Sequence, residues 1–277
     1  MVRGEKSQTQ PIDVHTPSVA RMYDWLLGGV ENYISDRRAC ARLLDIAPNS
    51  QVVARNNRAF LGRMVRVLAE GYGVEQFIDH GAGLPAGDNV HQIAQRVNAD
   101  CRVVYIDNDP VVAAYGRTTL EENANTAVIE ADVRDTEAVF EHAQARRLIR
   151  RGRPTAALFV SVLDCLGDND GRGGPAGLVR RVAARLMTLG PGNFVVICQL
   201  VSDDPEVRRE VTELMNHSTG GAWGRVRERS EVRSFFDGLR ILEPGLVDVV
   251  DWRPDSSPPP HARRGAGPVG WGGLARL

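Results

Sequence analysis

Gly81 and Gly83, with Asp79 just before them, are the residues whose types and spacing first indicate chemistry. They lie in the stretch FIDHGAGLPAG, in which a short apolar run ends at the acid. Glycine has no Cβ and adopts positive φ angles easily, so a ligand can approach the backbone of such a loop closely. A glycine loop that follows a strand is typical of nucleotide binding. The stretch therefore predicts a site for a nucleotide-like molecule and leaves its identity open.

The glycines alone fit two kinds of cofactor. Gly81, Gly83 and Ala86 match the G-x-G-x-x-G/A pattern of dinucleotide-binding loops. Asp79, Gly81 and Gly83 match equally well the D-x-G-x-G loop that binds S-adenosylmethionine. Residues elsewhere in the chain must decide between the two.

Two further aspartates end the next two apolar runs, Asp107 and Asp132. In an open parallel sheet the strand tips near the switch point line one crevice. A dinucleotide would explain Asp107 as the ribose partner, but its pyrophosphate would lie beside the Asp79 carboxylate and repel it. It would also leave Asp132 without a role. S-adenosylmethionine has no phosphate, and its amine, ribose hydroxyls and adenine amine offer each carboxylate a partner.

The elements that must position these residues begin with helices. Residues 16–72 carry helical signals and no strand signal, whereas residues 1–15 are polar and aperiodic, which indicates a mobile tail. Thr16 and Pro17 are typical of a helix start and Gly28-Gly29 of its end. Apolar residues between them recur at helical spacing: Val19, Met22, Tyr23, Leu26 and Leu27. Further helices are predicted from Ser35, and from Asn49 or Ser50 to Gly71.

From residue 76 onward, strands and helices alternate. The predicted strands are QFIDH, CRVVYIDND, TAVIEAD, TAALFVSVLD and NFVVICQLV, and they are apolar at nearly every position. Strands of this kind are covered by helices on both faces, so the alternation predicts a doubly wound parallel sheet. The first of these helices is predicted to start at about Pro85, with its N-terminal amides facing the glycine loop.

The C-terminal third predicts a different arrangement. Ser230 is expected to cap a short helix, and LVDVVDW and VGWGGLARL are expected to pair as a hairpin at the sheet edge. The Pro/Gly-rich stretch between them, residues 255–267, is not expected to form regular structure.

Composition excludes several classes of function. A formal net charge of -1 provides no general field for a polyanion, so no nucleic-acid partner is expected. No apolar run is long enough for a membrane span, and the N-terminus lacks an apolar signal core, so a cytoplasmic location is expected. The four cysteines read as free thiols, and neither they nor the histidines show metal-site spacing, so no metal is expected. The oligomeric state is not indicated.

These motifs together resemble those of the class I S-adenosylmethionine methyltransferases. DHGAG is similar to their first motif, YIDNDP to their acidic second-strand motif, and EADVRD to their third-strand motif. More narrowly, the whole chain resembles an actinobacterial family of methyltransferase-like proteins, through ARMYDWLLGGVENY, ARNNRAFLGRMVR, FIDHGAGLP, VVYIDNDPVV and ADVRD. The resemblance implies a Rossmann-like α/β fold with a mostly parallel seven-stranded sheet, helices on both faces and an N-terminal helical segment. It implies nothing about the acceptor.

The same resemblance implies roles for individual residues. The loop Gly81-Ala82-Gly83 would pack against the methionine and ribose portion of the cofactor, and Asp79 would organise the loop and reach the methionine amine through water. Asp107 would bind the ribose hydroxyls, and Asp132 would accept from the adenine amine with Val133 against the ring. The remaining candidates for the cofactor site are Asn108, Ser161, Tyr23, Asn57 and Arg58. The last three lie in the helical segment 16–72, which is expected to act as a lid on the binding domain 73–277 and to form one compact unit with it.

Three departures from the family pattern concern Pro85, His80 and Asp164. Pro85 stands where a third glycine is frequent, and His80 stands where a small or apolar residue is frequent. Relatives tend to carry Leu-His at the fourth strand, where this chain has Leu163-Asp164. If the acceptor must lose a proton, Asp164, His80 and Tyr23 are the candidate bases. Three functions stay open at this point: a methyltransferase for a small molecule, a non-catalytic S-adenosylmethionine-binding protein that acts through a partner, and an NAD(P)-dependent oxidoreductase.

Overall fold

The computed structural model describes residues 12–168, 170–254 and 267–277 of the chain. In these ranges the helices are α1 Val19–Leu27, α2 Ile34–Ile46, α3 Ser50–Tyr72, α4 Val90–Val97, α5 Pro110–Thr119, α6 Thr136–Glu141, α7 Ala143–Leu148, α8 Gly174–Met187, α9 Pro205–Ser218 and α10 Arg229–Ser234. The strands are β1 Gln76–His80, β2 Arg102–Asp107, β3 Thr126–Glu130, β4 Thr155–Val160, β5 Phe194–Val201, β6 Arg240–Ile241, β7 Val247–Asp248 and β8 Val269–Arg276. No helix within these ranges is long and apolar enough to cross a membrane.

The strands form one sheet in the order β3-β2-β1-β4-β5-β8-β6, with β7 also paired to β8. Strands β1 to β5 pair in parallel, whereas β8 runs antiparallel to β5. Strands β2 and β3 lie on one side of β1, whereas β4 and β5 lie on its other side. The point at which the strand order reverses therefore lies at β1, which carries Asp79 and leads into the glycine loop. The predicted mostly parallel α/β sheet is confirmed.

The C-terminal strands form the predicted pair at the sheet edge, with one addition. Strand β7 pairs with β8, which itself pairs with β5, and β6 also pairs with the outer side of β8. The contact of β8 with β5 runs without interruption from Phe194↔Arg276 to Val201↔Val269. Two two-residue strands then share the other side of β8, and the described sheet has eight strands instead of seven. The Pro/Gly-rich connection falls almost entirely on residues 255–266, outside the described residues.

Apolar packing on both faces of the sheet holds it in place. One buried cluster includes Val104, Ile129 and Phe159, and a second, built from the alternate residues of the same strands, includes Phe77, Val103 and Leu158. This arrangement explains why the strand sequences are apolar at nearly every position. A third cluster, centred on Met22, Leu43, Val211 and Met215, joins α1 and α2 to α9. The helical segment 16–72 is thus packed against the C-terminal half of the chain.

Several helix ends follow the predicted signals. Gly28 ends α1 in the left-handed conformation, Asn49 precedes α3, and Asp109 caps α5 just before Pro110. Three predicted starts differ from the observed ones by a few residues. The signals are at Thr16-Pro17, Ser35 and Ser230, whereas α1 begins at Val19, α2 follows Tyr33, and α10 follows Glu228. These shifts leave the helical faces unchanged.

The helix predicted from Pro85 is wrong, because α4 begins only at Val90. Gly87 has a φ of +54°, which is incompatible with a helix that continues through it. Asn89 then forms a capping box with Gln92 and sets the true start. The glycine loop is therefore separated from the N-terminus of α4 by an irregular segment, and the predicted helix dipole does not act at the loop.

Candidate functional site

One cavity of about 1540 Å³ lies over the carboxyl ends of β1, β2, β3 and β4. It is bounded on its other sides by α1, α3 and the segment after α9. The twelve residues predicted to bind the cofactor all line it: Tyr23, Asn57, Arg58, Asp79, Gly81, Ala82, Gly83, Asp107, Asn108, Asp132, Val133 and Ser161. The structure thus brings together residues that the sequence spreads over about half of the chain.

The two glycines of the loop serve different purposes. Gly81 has a φ of +75°, and a Cβ built on it would lie 2.3 Å from Val162 Cγ2, so the loop packs tightly against the segment after β4. Gly83 has a φ of +64°, but a Cβ there would meet nothing within 4 Å. Its surroundings are the open cavity. Gly81 is therefore required by packing, and Gly83 leaves the backbone accessible to a ligand.

Asp107 shapes the loop and also faces the cavity. Its Oδ2 accepts a hydrogen bond from the Gly83 N–H at 2.9 Å, and its Oδ1 accepts one from the Asp109 N–H at 3.0 Å. Burial raises the pKa of this carboxyl, and the backbone hydrogen bonds oppose that shift. Each carboxylate oxygen keeps a further lone pair for a ligand hydroxyl.

Asp79 is the most strongly desolvated acid of the loop. Its side chain is 5% exposed, and burial raises its pKa to about 7, with Arg58 lowering the pKa and Asp107 raising it further. A cationic group in the cavity would favour the ionised form of this carboxyl and would be bound strongly in return. The position suits an ammonium group.

Asp132 lies at the outer part of the cavity, two residues beyond β3. Arg134 holds its carboxylate through Nε, at 2.9 Å from Oδ2 and 3.0 Å from Oδ1, and these hydrogen bonds lower its pKa. Val133 beside it is buried, so an apolar surface and a carboxylate lie next to each other. This pair suits a flat heterocycle that carries an amine.

The N-terminal helices complete the cavity wall. Asn57 Nδ2 donates to Ser161 Oγ at 2.8 Å, and Ser161 has a φ of 61°, an uncommon conformation for a residue with a side chain. Arg58 donates to the Asp88 carbonyl at 2.8 Å and to Asn89 Oδ1 at 3.0 Å, which fixes the irregular segment after the glycine loop. The Tyr23 hydroxyl donates to the Ala54 carbonyl at 3.1 Å. These residues connect α1 and α3 to the strand tips.

The GG of YDWLLGGVEN has a local structural role. Gly28 supplies the left-handed end of α1, and a Cβ on Gly29 would overlap the Asp24 carboxylate, at 2.0 Å from Oδ1. Asn32 Nδ2 donates to the same carboxylate at 2.8 Å. This distinctive stretch therefore folds the turn between α1 and α2, and only Tyr23 and Leu26 of it line the cavity.

The three candidate bases are placed differently. Asp164 and Tyr23 line the cavity. His80 is buried in the sheet, where its ring stacks on Phe159 with the ring centroids 4.3 Å apart, and it is not among the described residues that line the cavity. Burial lowers its pKa to about 4. His80 is thus a neutral core side chain, and the structure gives no support to it as a base.

Asp164 follows β4 in a short 3₁₀ turn, Leu163–Cys165. The Leu200 N–H donates to its carboxylate at 3.1 Å, and burial raises its pKa to about 7 against the opposing effect of Arg227. The carboxyl is thus poised to exchange a proton near neutral pH. Asp164 lines the cavity but is only 1% exposed, and none of the described residues donates a side-chain hydrogen bond to its carboxylate.

Sequence reasoning missed the apolar end of the cavity. Val211 and Met215 of α9, together with Trp223 in the following segment, line it and belong to or pack against the apolar cluster that joins α9 to α1 and α2. Helix α9 did have a signal in the sequence, since Asp204-Pro205 repeats the pattern of Asp109-Pro110, and the Asp204 side chain caps it. The position of Trp223 depends on the packing of distant elements, and no local pattern indicates it.

Comparison with known proteins decides the family. The model of a family described as S-adenosyl methyltransferase matches residues 5–277. The chain belongs to this S-adenosyl methyltransferase family. The cavity fits the corresponding cofactor, because it combines an open glycine backbone at Gly83, a buried carboxylate at Asp79 and further acids at Asp107 and Asp132. This methyltransferase accordingly uses S-adenosylmethionine.

Two solved structures resemble the methyltransferase over nearly its whole length. A proposed methyltransferase from Thermobifida fusca is 35% identical, with 95% of this chain and 96% of that chain covered and a TM-score of 0.84. A DUF574 family protein from Streptomyces avermitilis is 31% identical, with 96% and 99% covered and a TM-score of 0.86. An ornithine lipid N-methyltransferase from Singulisphaera acidiphila is 38% identical over 64 residues, which span 23% of this chain and 32% of that protein.

The dinucleotide interpretation loses its structural basis. Its pattern requires Ala86 to start a helix that packs closely on the first strand. In the structure Ala86 lies in the irregular segment before α4 and is not among the described residues that line the cavity. The match through Ala86 is therefore incidental.

Proposed function

We propose that this methyltransferase transfers the methyl group of S-adenosylmethionine to a small-molecule acceptor. The observation that carries the proposal is the cavity of about 1540 Å³, which holds the cofactor-type residues at one end and has a second lined end. Pockets for drug-sized ligands commonly measure about 300–1,000 Å³, so this volume supports two molecules bound side by side. The segment 16–72 is proposed to be the lid that closes over both.

The acids and the lid residues of the predicted cofactor site have proposed partners. Asp79 would bind the amine of the methionine portion, and Asp107 would bind the ribose hydroxyls while it holds the Gly83 amide. Asp132 and Val133 would receive the adenine. Asn57 and Ser161, joined by their 2.8 Å hydrogen bond, would fix the lid against the strand tip beside the methionine end.

The chemistry requires alignment and, for a protonated acceptor, a base. When bound, S-adenosylmethionine supplies a methyl group whose carbon bonds to the acceptor's lone pair while the electrons of the broken C–S bond stay on sulfur. The enzyme's own contribution is to hold the acceptor in line, which is worth up to about 7–11 kcal/mol in favourable cases. We assign the acceptor's proton to the Asp164 carboxylate, with Tyr23 as the second polar group that faces the same space.

Turnover tests the proposal. Incubation with methyl-labelled S-adenosylmethionine and a fractionated metabolite extract should place label in a low-molecular-weight product. Asp164→Asn keeps an acceptor for the Leu200 N–H but cannot take a proton, so it should slow transfer by about 10²- to 10⁴-fold with unchanged cofactor affinity. Label only in macromolecules, or cofactor binding with no transfer from any fraction, would contradict the proposal. The second outcome would support the non-catalytic binding protein instead.

A further inference from the structure

The cavity has an apolar end that the cofactor residues do not use. It is formed by side chains from α1, α2, α9 and the segment after α9: Met22, Leu26, Leu43, Val211, Met215 and Trp223. The same six belong to, or pack against, one buried apolar cluster. They therefore form a continuous wall held in place by the fold, which we call the apolar compartment.

The positive charges that line the cavity are already engaged. Four arginines line it, and no lysine or histidine of the described residues does. Three of them are paired with carboxylates: Arg21 with Asp36, Arg117 with Glu130, and Arg134 with Asp132. Arg58 donates to the Asp88 carbonyl and to Asn89 Oδ1, both neutral oxygens, and its charge acts on Asp79 at the cofactor end. None of the six residues of the apolar compartment is a cation, so an anionic acceptor there would be buried without a partner, which is strongly unfavourable.

Asp164 is the acid of the cavity lining that is hydrogen-bonded to residues beside the apolar compartment. Its carboxylate accepts the N–H of Leu200, which packs against the apolar cluster, and its carbonyl accepts the N–H of Gly224 at 2.9 Å, next to Trp223. Asp79 and Asp107 lie at the cofactor end, where the amine and the ribose would occupy them. The other acids that line the cavity are engaged elsewhere: Glu130 and Asp132 pair with arginines, Asp109 caps α5, and Asp13 accepts the N–H groups of His15 and Thr16. Asp164 is thus the acid left to meet an acceptor that enters the apolar compartment.

We infer that the acceptor is an amine with a predominantly apolar body, which lies in the apolar compartment and presents its nitrogen to Asp164. This inference rests on the proposed function and specifies its substrate class. The ammonium form would be attracted to the carboxylate on binding. It would then pass one proton to Asp164, and the nitrogen lone pair would be free to form the new C–N bond while the C–S bonding electrons stay on sulfur.

A matched series of biphenyl compounds tests this inference. The probes are 4-phenylbenzylamine, 4-phenylphenol and 4-phenylbenzoate, which share one apolar body and differ in the head group. Their affinities are measured by calorimetry with the enzyme saturated with S-adenosylhomocysteine. The amine should bind at least about 10-fold more tightly than either of the others, as expected for a favourable charge interaction in a buried site. Equal or tighter binding of the phenol or the carboxylate would overturn the inference.

Two variants and one control locate the effect. Asp164→Asn should abolish the preference for the amine over the phenol. Leu26→Asn should weaken binding of the amine by about 10-fold, because it places a polar group in the apolar wall. Leu27→Asn, at the next position on α1 but not at the cavity, should leave it unchanged. An amine preference that survives in Asp164→Asn, or equal effects at Leu26 and Leu27, would also overturn the inference.

The titration of S-adenosylhomocysteine alone distinguishes a failure of the proposed function from a failure of the inferred acceptor class. If this ligand binds but no biphenyl amine does, the inference about the acceptor is wrong and the proposed function stands. If this ligand itself fails to bind the folded wild-type enzyme, the proposed function fails first.

Discussion

Replacing Gly81 and Gly83 separately with alanine should affect different properties: Gly81→Ala mainly the stability of the fold, and Gly83→Ala mainly ligand access. Both residues have a positive φ, +75° and +64°, so alanine is strained at either position. That strain costs about 1–2 kcal/mol, and it is partly offset by about 0.4–1 kcal/mol because alanine restricts the unfolded chain more than glycine does. Conformation alone thus destabilises each variant by about 1 kcal/mol.

Packing distinguishes the two positions. The new Cβ at Gly81 would lie 2.3 Å from Val162 Cγ2 and 2.6 Å from Val162 Cβ, so the loop or the segment after β4 must shift. Overpacking of this kind costs about 1–3 kcal/mol. The new Cβ at Gly83 meets nothing within 4 Å. Gly81→Ala should therefore lower the free energy of unfolding by about 2–4 kcal/mol, and Gly83→Ala by about 1 kcal/mol.

Urea denaturation followed by circular dichroism measures these values, and calorimetry with S-adenosylhomocysteine measures access. Gly83→Ala should retain near-wild-type stability yet bind the ligand at least about 10-fold more weakly, because its methyl group occupies the face that the ligand approaches. If Gly81→Ala is as stable as Gly83→Ala, the packing described for the loop is wrong. If Gly83→Ala binds as well as wild type, the ligand does not lie against that backbone.

Further outcomes follow from the buried acids and from Arg58. Burial raises the pKa of Asp79 and Asp164 to about 7 from 3.8. Between about pH 4 and 7 these two carboxyls therefore hold protons in the folded state that they have released in the unfolded state. The free energy of unfolding should accordingly fall as pH rises through this range. Denaturation at a series of pH values should show a smaller fall in Asp164→Asn, and an identical profile would contradict this cause. S-adenosylhomocysteine should bind more tightly at pH 8 than at pH 6, because its amine pairs with ionised Asp79. In Asp79→Asn, calorimetry should find the same affinity at both pH values. If the affinity of this variant still depends on pH, a group other than Asp79 causes the dependence. Arg58→Met should weaken binding of S-adenosylhomocysteine by about 10-fold, because the segment at Asp88 and Asn89 loses its hydrogen bonds to the guanidinium. Arg55 is exposed on the same helix, so Arg55→Met should leave binding unchanged. Equal effects of the two substitutions would refute the role of Arg58.

The cofactor end of the site could be predicted from the sequence because its determinants are local. Asp79, Asp107 and Asp132 each lie at or just beyond the end of an apolar strand, and parallel strands bring their carboxyl ends to one edge. The strand pattern therefore specifies both the sheet and the meeting of these acids. The start of α4 was misplaced because Pro85-Ala86 is compatible with a helix start, and the capping box at Asn89 outweighed that signal.

The apolar end of the cavity could not be predicted in the same way. It depends on contacts between α1, α2 and α9, which are far apart in sequence and meet through an apolar cluster that has no motif. His80 was also misplaced by the sequence pattern. Its position next to Asp79 made it a candidate base, but side chains alternate along a strand, so the residue after one that faces the cavity faces the core.

Calorimetric titration of S-adenosylhomocysteine into wild type and Asp107→Ala, with NADP⁺ as the comparison ligand, tests the central claim most directly. Wild type should bind S-adenosylhomocysteine with micromolar affinity and should not bind NADP⁺. Asp107→Ala should lose about 1.5–3 kcal/mol of binding free energy, because charge-assisted hydrogen bonds to the ribose and to the Gly83 amide are removed together. Unchanged affinity in Asp107→Ala, or tighter binding of NADP⁺ than of S-adenosylhomocysteine, would contradict the account.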